Sequence, residues 1–91
     1  MLLHRYNITG PERDKILESQ SNSCKICNSN INPRLSGHTK RDAAVVDHCH
    51  KSGVIRGILC GQCNVGLGSF QDNPVALRIA ADYLEISHSR R

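Results

Sequence analysis

Val45-Val46-Asp47-His48-Cys49-His50-Lys51-Ser52-Gly53-Val54-Ile55-Arg56-Gly57-Ile58-Leu59-Cys60-Gly61-Gln62-Cys63-Asn64 is the stretch that decides the fold. Ala43-Ala44-Val45-Val46 is a short apolar run rich in β-branched residues, and it reads as a strand running into Asp47-His48. Lys51-Ser52-Gly53 supplies turn chemistry, and residues 54–59 return as a second strand, so the segment forms a hairpin. Cys60-Gly61-Gln62-Cys63 follows directly and opens a short helix that reaches Gly66 or Gly68.

Upstream, Cys24-Lys25-Ile26-Cys27 repeats the C-x-x-C spacing. Residues 28–41 are polar, with Asn30, Asn32, Pro33 and Gly37, and read as a loop. Thr9-Gly10-Pro11-Glu12 has the form of a helix start: Thr9 can cap, Glu12 completes a capping box, and Pro11 is tolerated in the first turn. Ile16 and Leu17 give that helix its apolar side, and Ser19-Gln20-Ser21-Asn22-Ser23 ends it. Downstream, Asn73-Pro74 opens a last helix with Asn73 as cap. Val75, Leu77, Ile79, Ala80, Tyr83 and Leu84 recur there at helical spacing. The expected architecture is α+β: a hairpin-helix core flanked by N- and C-terminal helices, in one domain over residues 1–91 with flexible ends at 1–5 and 87–91.

A chain of 91 residues with one Phe and no Trp buries a thin core and needs a staple. Neither a secretory leader nor an apolar run long enough for a bilayer is visible, which points to a reducing, cytoplasmic setting. There, paired C-x-x-C motifs are metal ligands rather than disulfides. Cys24, Cys27, Cys60 and Cys63 supply the four thiolates of a structural Zn²⁺ site, closed to substrate. The ion would contribute about 10 kcal/mol or more to folding. Cys49 has no partner at that spacing and reads as a small, half-buried filler.

The formal net charge is +4, and four thiolates with one Zn²⁺ lower it to +2, so distribution says more than the total. Arg5, Arg13, Lys15, Lys25, Arg34, Lys40 and Arg41 crowd the first half against Glu12, Asp14 and Glu18. Such a half would suit a phosphate backbone, or serve only as a solvated face. Arg34, Lys40, Arg41 and Arg56 are the candidates for DNA phosphate contacts.

Phosphodiester hydrolysis needs a base for water, a cation for the developing charge, and positioning for both. His48 suits the base, since an ordinary imidazole is substantially neutral at pH 7. Asp47 and Asn64 offer oxygen ligands to a hard cation such as Mg²⁺. Two histidines beside a cysteine are also compatible with a further zinc site or with plain polar corner residues. Strict strand alternation sends Asp47 and His48 to opposite faces. Both reach one phosphate only if the strand twists or ends there, which residues 49–53 permit.

The chain resembles the phage recombination endonuclease VII family, a branch of the His-Me finger (HNH-like) nucleases. Tyr6-Asn7-Ile8-Thr9, Cys24-Lys25-Ile26-Cys27 and the run from Val46 to Cys60 carry the resemblance. It continues through Cys63-Asn64-Val65-Gly66-Leu67-Gly68-Ser69-Phe70-Gln71-Asp72-Asn73-Pro74 and Ala80-Ala81-Asp82-Tyr83-Leu84-Glu85. The resemblance implies a ββα-metal motif around one catalytic Mg²⁺ or Mn²⁺, with Asp47 and Asn64 on the metal and His48 as general base. His50 would contact the scissile phosphate or help the leaving group, and the four knuckle cysteines would hold zinc. Junction-resolving relatives carry extra C-terminal helices for dimerisation. Nicking or cutting of duplex DNA by a monomer or weak dimer is therefore the first expectation, and branched-junction resolution by a dimer the second. A zinc-ribbon module that binds DNA or protein without catalysis shares the staple and the basic half, but has no need of Asp47, His48 and Asn64. A redox C-x-x-C protein would need a βαβ context that is missing.

Overall fold

The computed structural model describes residues 9–35 and 41–89, with side chains through Ile86. Five elements follow in order: α1 (Gly10–Ser19), β1 (Val45–His48), β2 (Ile55–Leu59), α2 (Gly61–Ser69) and α3 (Pro74–Ser89). The α+β class and the flanking helices are as the sequence indicates. Residues 1–8, which include the expected N-terminal flexible end, lie outside the described residues.

α1 starts where its side chains allow. Thr9 Oγ1 accepts from the Glu12 N–H at 3.2 Å, and Glu12 Oε1 accepts from the Thr9 N–H at 2.9 Å. This reciprocal cap satisfies two N–H groups that the first turn cannot pair. At the other end Ser21 and Asn22 turn the chain with φ of 56° and 55°, left-handed values that small polar residues tolerate. α1 buries Leu17 against β2, where Ile58 is fully buried.

β1 and β2 form a two-stranded antiparallel sheet. Val45 pairs with Leu59, Val46 with Ile58 and Asp47 with Gly57; then the register slips and His48 pairs with Ile55. Arg56 is the extra residue of this β-bulge. A bulge raises the local twist and re-aims the side chain at the break. Gly57, beside it, has φ +155°, a value that side chains rarely adopt.

A two-stranded sheet is marginal alone, and its outer edge is covered from α1. The Gln20 carboxamide, just after α1, donates to Ile58 O at 2.9 Å and accepts from Ile58 N at 3.0 Å, pairing with β2 as a third strand would. Leu17, Cys24, Ile31, Ala44, Ile58, Leu59 and Cys60 make the core, flanked by Ile16, Val46, Cys63 and Leu67. α2 packs on both strands.

α3 is capped as expected: Asn73 Oδ1 accepts from the Val75 and Ala76 N–H groups at 3.0 and 3.2 Å. The helix continues to Ser89, beyond the point at which the sequence suggests fraying; Arg90 and Arg91 lie outside the described residues. Its apolar face exists, but Val75, Ile79, Tyr83, Leu84 and Ile86 are each more than half exposed. Helical spacing reports an apolar stripe, not what covers it.

Candidate metal centre and polar cluster

The two C-x-x-C turns meet. The Sγ atoms of Cys24, Cys27, Cys60 and Cys63 all lie within 4.8 Å of one another, and those of Cys27 and Cys60 are 3.8 Å apart. A tetrahedral ion with Zn–S bonds of about 2.3 Å sets its sulfurs roughly 3.8 Å apart, so the four thiols fit Zn²⁺.

Each turn is built to present sulfur. In the first, the Ile26 N–H donates to Cys24 Sγ at 3.4 Å and the Asn28 N–H to Cys24 O at 3.0 Å, with Asn28 left-handed at φ 64°. In the second, Cys60 caps α2, its Sγ accepting from the Cys63 N–H at 3.4 Å.

The thiols are unequal. Ser29, whose Oγ lies 3.0 Å from Cys27 Sγ, lowers the Cys27 thiol to about 6. Burial opposes charge on Cys24, but backbone groups of Cys27, Cys60 and Ile26 outweigh it and lower that thiol. Burial, together with hydrogen bonds to the other cysteines, pushes Cys63 up.

The second constellation lies at the bulge. Arg56 Nε donates to Asp47 Oδ2 at 2.7 Å and Nη2 to Asp47 Oδ1 at 3.0 Å, a two-bond fork. The same Nη2 reaches Asp72 Oδ2 at 3.2 Å. Both carboxylates, Asp47 foremost, raise the Arg56 guanidinium above its ordinary value. His50 Nε2 lies 3.2 Å from Asp72 Oδ2, and the His48 and His50 ring centroids are 5.0 Å apart. The structure thus joins Asp47, Arg56, Asp72 and His50 in one chain of polar contacts, with His48 ring-to-ring beside it.

The remaining residues singled out from sequence are more dispersed. Asn64 sits half-buried in the first turn of α2, its N–H donating to Cys60 O at 3.0 Å, so the second knuckle fixes its backbone. Arg41 Nε donates to Gln62 Oε1 at 2.8 Å, at the start of α2. Arg34 is exposed in the loop, and Lys40 lies outside the described residues. Arg56 is held by two carboxylates, so a DNA phosphate would have to share it with them. Cys49 is half-buried, and a hydrogen bond from the Ser52 side chain lowers its thiol to about 7. A cavity of about 700 Å³ opens beside the cluster, lined by Cys49, His50, Lys51, Arg56, Asp72 and Asn73 among others.

Sequence reasoning missed Gln20 and Asp72. Nothing near Gln20 marks it as a pairing group for Ile58, which is 38 residues away. Asp72 follows α2 in the turn Phe70-Gln71-Asp72-Asn73; in the sequence it stands out only as the first carboxylate after Asn64, which gives no sign of its contacts with Arg56 and His50.

The sequence profile of the family described as recombination endonuclease VII matches residues 1–86. The Gene 59 protein of Mycobacterium phage L5 is 40% identical over 84 residues, covering 91% of this chain and 47% of that protein. The Gene 59 protein of Mycobacterium phage D29 is 42% identical over 84 residues, again covering 91% of this chain and 47% of its own length. The chain thus spans about half the length of the curated relatives it matches. No described helix is long and apolar enough to cross a membrane. With a family match over nearly its whole length, the paired cysteines meeting in space and the hairpin leading into α2, the chain belongs to the recombination endonuclease VII family.

Proposed function

We propose that the chain is a divalent-metal-dependent DNA endonuclease that nicks or cuts duplex DNA, built on a His-Me finger core of β1, β2 and α2. The observation that carries this reading is the register slip between Asp47 and His48. Regular alternation would separate the two side chains; the slip inserts Arg56 opposite this pair and falls where β1 ends at His48, and past a strand end consecutive residues are free to serve one phosphate.

In this reading Cys24, Cys27, Cys60 and Cys63 hold a structural Zn²⁺ that fixes α2 against the hairpin. Asp47 and Asn64 would hold Mg²⁺ or Mn²⁺. Their oxygens are the donors such a hard cation takes, and the Asp47 side chain is only 12% exposed. The Arg56 fork uses one lone pair on each Asp47 oxygen and leaves the others. When bound, the ion supplies positive charge against the charge that builds on the phosphate and leaving oxygen. His48 takes a proton from the attacking water, and His50 meets the scissile phosphate or the leaving group. Arg34, Lys40 and Arg41 contribute phosphate contacts that position the backbone without reading sequence.

Cleavage of supercoiled plasmid, linear duplex and a four-way junction, each with Mg²⁺, Mn²⁺ or EDTA, tests the proposal. Metal-dependent nicking of the plasmid that EDTA stops is the expected result. Fully zinc-loaded protein that binds these DNAs and cuts none would favour a zinc-ribbon binding module instead. Preference for the junction would favour the second reading, a resolvase acting as a dimer. The exposed apolar side chains of α3 offer that reading a surface for a second copy.

A further inference from the structure

Asp72 lies outside the hairpin, at the corner between α2 and α3. The corner is tightly specified. Gln71 and Asp72 are both left-handed, at φ 53° and 56°, and the Asp72 N–H donates to Leu67 O at 2.9 Å. Successive left-handed non-glycine residues are costly, so the surrounding hydrogen bonds determine this turn. It brings the Asp72 carboxylate, 21% exposed, to His50 Nε2 and Arg56 Nη2, each at 3.2 Å.

We infer that Asp72 is a positioning residue for the nuclease site: it orients the His50 ring by accepting its Nε2 hydrogen, which turns the Nδ1 edge toward the DNA. An ionised carboxylate only accepts, so the nitrogen that faces it must carry hydrogen; phosphate oxygens likewise only accept, so Nδ1 meets the DNA as an N–H when the ring carries both hydrogens. His50 is 70% exposed on its side chain and stands at the end of the hairpin, where packing alone does not fix a ring. Arg56 shares the same Asp72 oxygen and forks onto Asp47. The position of His50 is thereby referred to the proposed metal ligand on β1 through two side chains, Asp72 at the α2–α3 corner and Arg56 on β2. The inference rests on the reading proposed above, in which His50 meets the scissile phosphate.

The test is a double-mutant cycle of Asp72→Asn and His50→Ala, read as the kcat of plasmid nicking at saturating Mg²⁺, so that metal loading through Arg56 and Asp47 does not enter. Asp72→Asn should lower kcat by roughly 10- to 100-fold, the usual cost of losing the partner that orients a functional histidine, with KM nearly unchanged. Asp72→Glu should restore part of the rate, and Asp72→Asn should cost nothing further once His50 is alanine. Should Asp72→Asn not fold, ¹⁵N NMR of the unmodified protein at about pH 8 still decides: His50 must carry its proton on Nε2. A proton on Nδ1 instead, or losses that multiply in the double mutant, overturns the inference alone. If His50→Ala nicks at the full rate, the proposed role of His50 falls and the inference with it.

Discussion

Gly57→Ala should damage this domain far more than the loss of one hydrogen would suggest. Gly57 pairs with Asp47 beside the bulge, and its φ of +155° strains any side chain. Backbone strain of this kind costs about 1–3 kcal/mol. A Cβ at this position would stand 3.3 Å from Gln20 Oε1 and 3.5 Å from Lys25 Cγ. Lys25 can yield, but Gln20 cannot do so cheaply. Its carboxamide is fixed by Ile58 N, Ile58 O and Ser23 O at 3.0, 2.9 and 2.8 Å. Pushing it aside costs about 1 kcal/mol for each bond lost. The strain and the loss of one bond, that of Oε1 to Ile58 N, together give about 2–4 kcal/mol, or on the order of 10–30 °C in Tm for a domain of this size. Urea unfolding of the zinc-loaded protein reads the loss. Gly66→Ala is the control: nothing lies within 4 Å of its added Cβ, and alanine favours α2 by about 0.5–1 kcal/mol. If Gly57→Ala and Gly66→Ala have the same stability, the bulge and the Gln20 clasp do not matter as described.

Two further outcomes follow from the thiols. Cys60→Ser keeps an oxygen able to cap α2, so its loss isolates the metal ligand; zinc content by elemental analysis should fall below one per chain and far-UV CD should show unfolding. Zinc binding worth about 10 kcal/mol rivals the whole stability of a small domain, so a stable, zinc-free Cys60→Ser protein would contradict the staple. With zinc bound, Cys49 is the remaining free thiol, held at about 7 chiefly by Ser52. It ionises as pH rises through that value, so alkylation by iodoacetamide should be markedly faster at pH 8 than at pH 6. Ser52→Ala should move the midpoint upward, toward the ordinary thiol value, and an unchanged midpoint would count against the hydrogen bond.

Local chemistry made much of the fold legible. Thr9 and Glu12 stand three residues apart and cap one turn; Cys24 and Cys27, like Cys60 and Cys63, sit on one turn each; the hairpin runs between two signals of alternation and turn. Each of these rests on near neighbours in the chain. Gln20 against Ile58 and Asp72 against Arg56 do not, because their partners are distant in sequence and their own surroundings are ordinary polar turns. The bulge is likewise invisible in advance, since a period of two carries no mark of the single residue that breaks it. At α3 the difficulty is reversed: spacing from Val75 to Leu84 declares an apolar stripe, yet the described fold leaves it open to solvent. At the candidate site, the adjacency of Asp47, His48 and His50 was readable, whereas the engagement of Asp47 by Arg56 needed the third dimension.

Nicking of supercoiled plasmid by zinc-loaded His48→Ala protein in Mg²⁺ bears most directly on the proposed chemistry. Removing a general base costs about 10²- to 10⁴-fold, so the variant should keep its zinc, its CD spectrum and its affinity for DNA while cutting at least a hundred times more slowly. A folded, zinc-replete His48→Ala protein that nicks as fast as the parent would show that this imidazole does not activate the water.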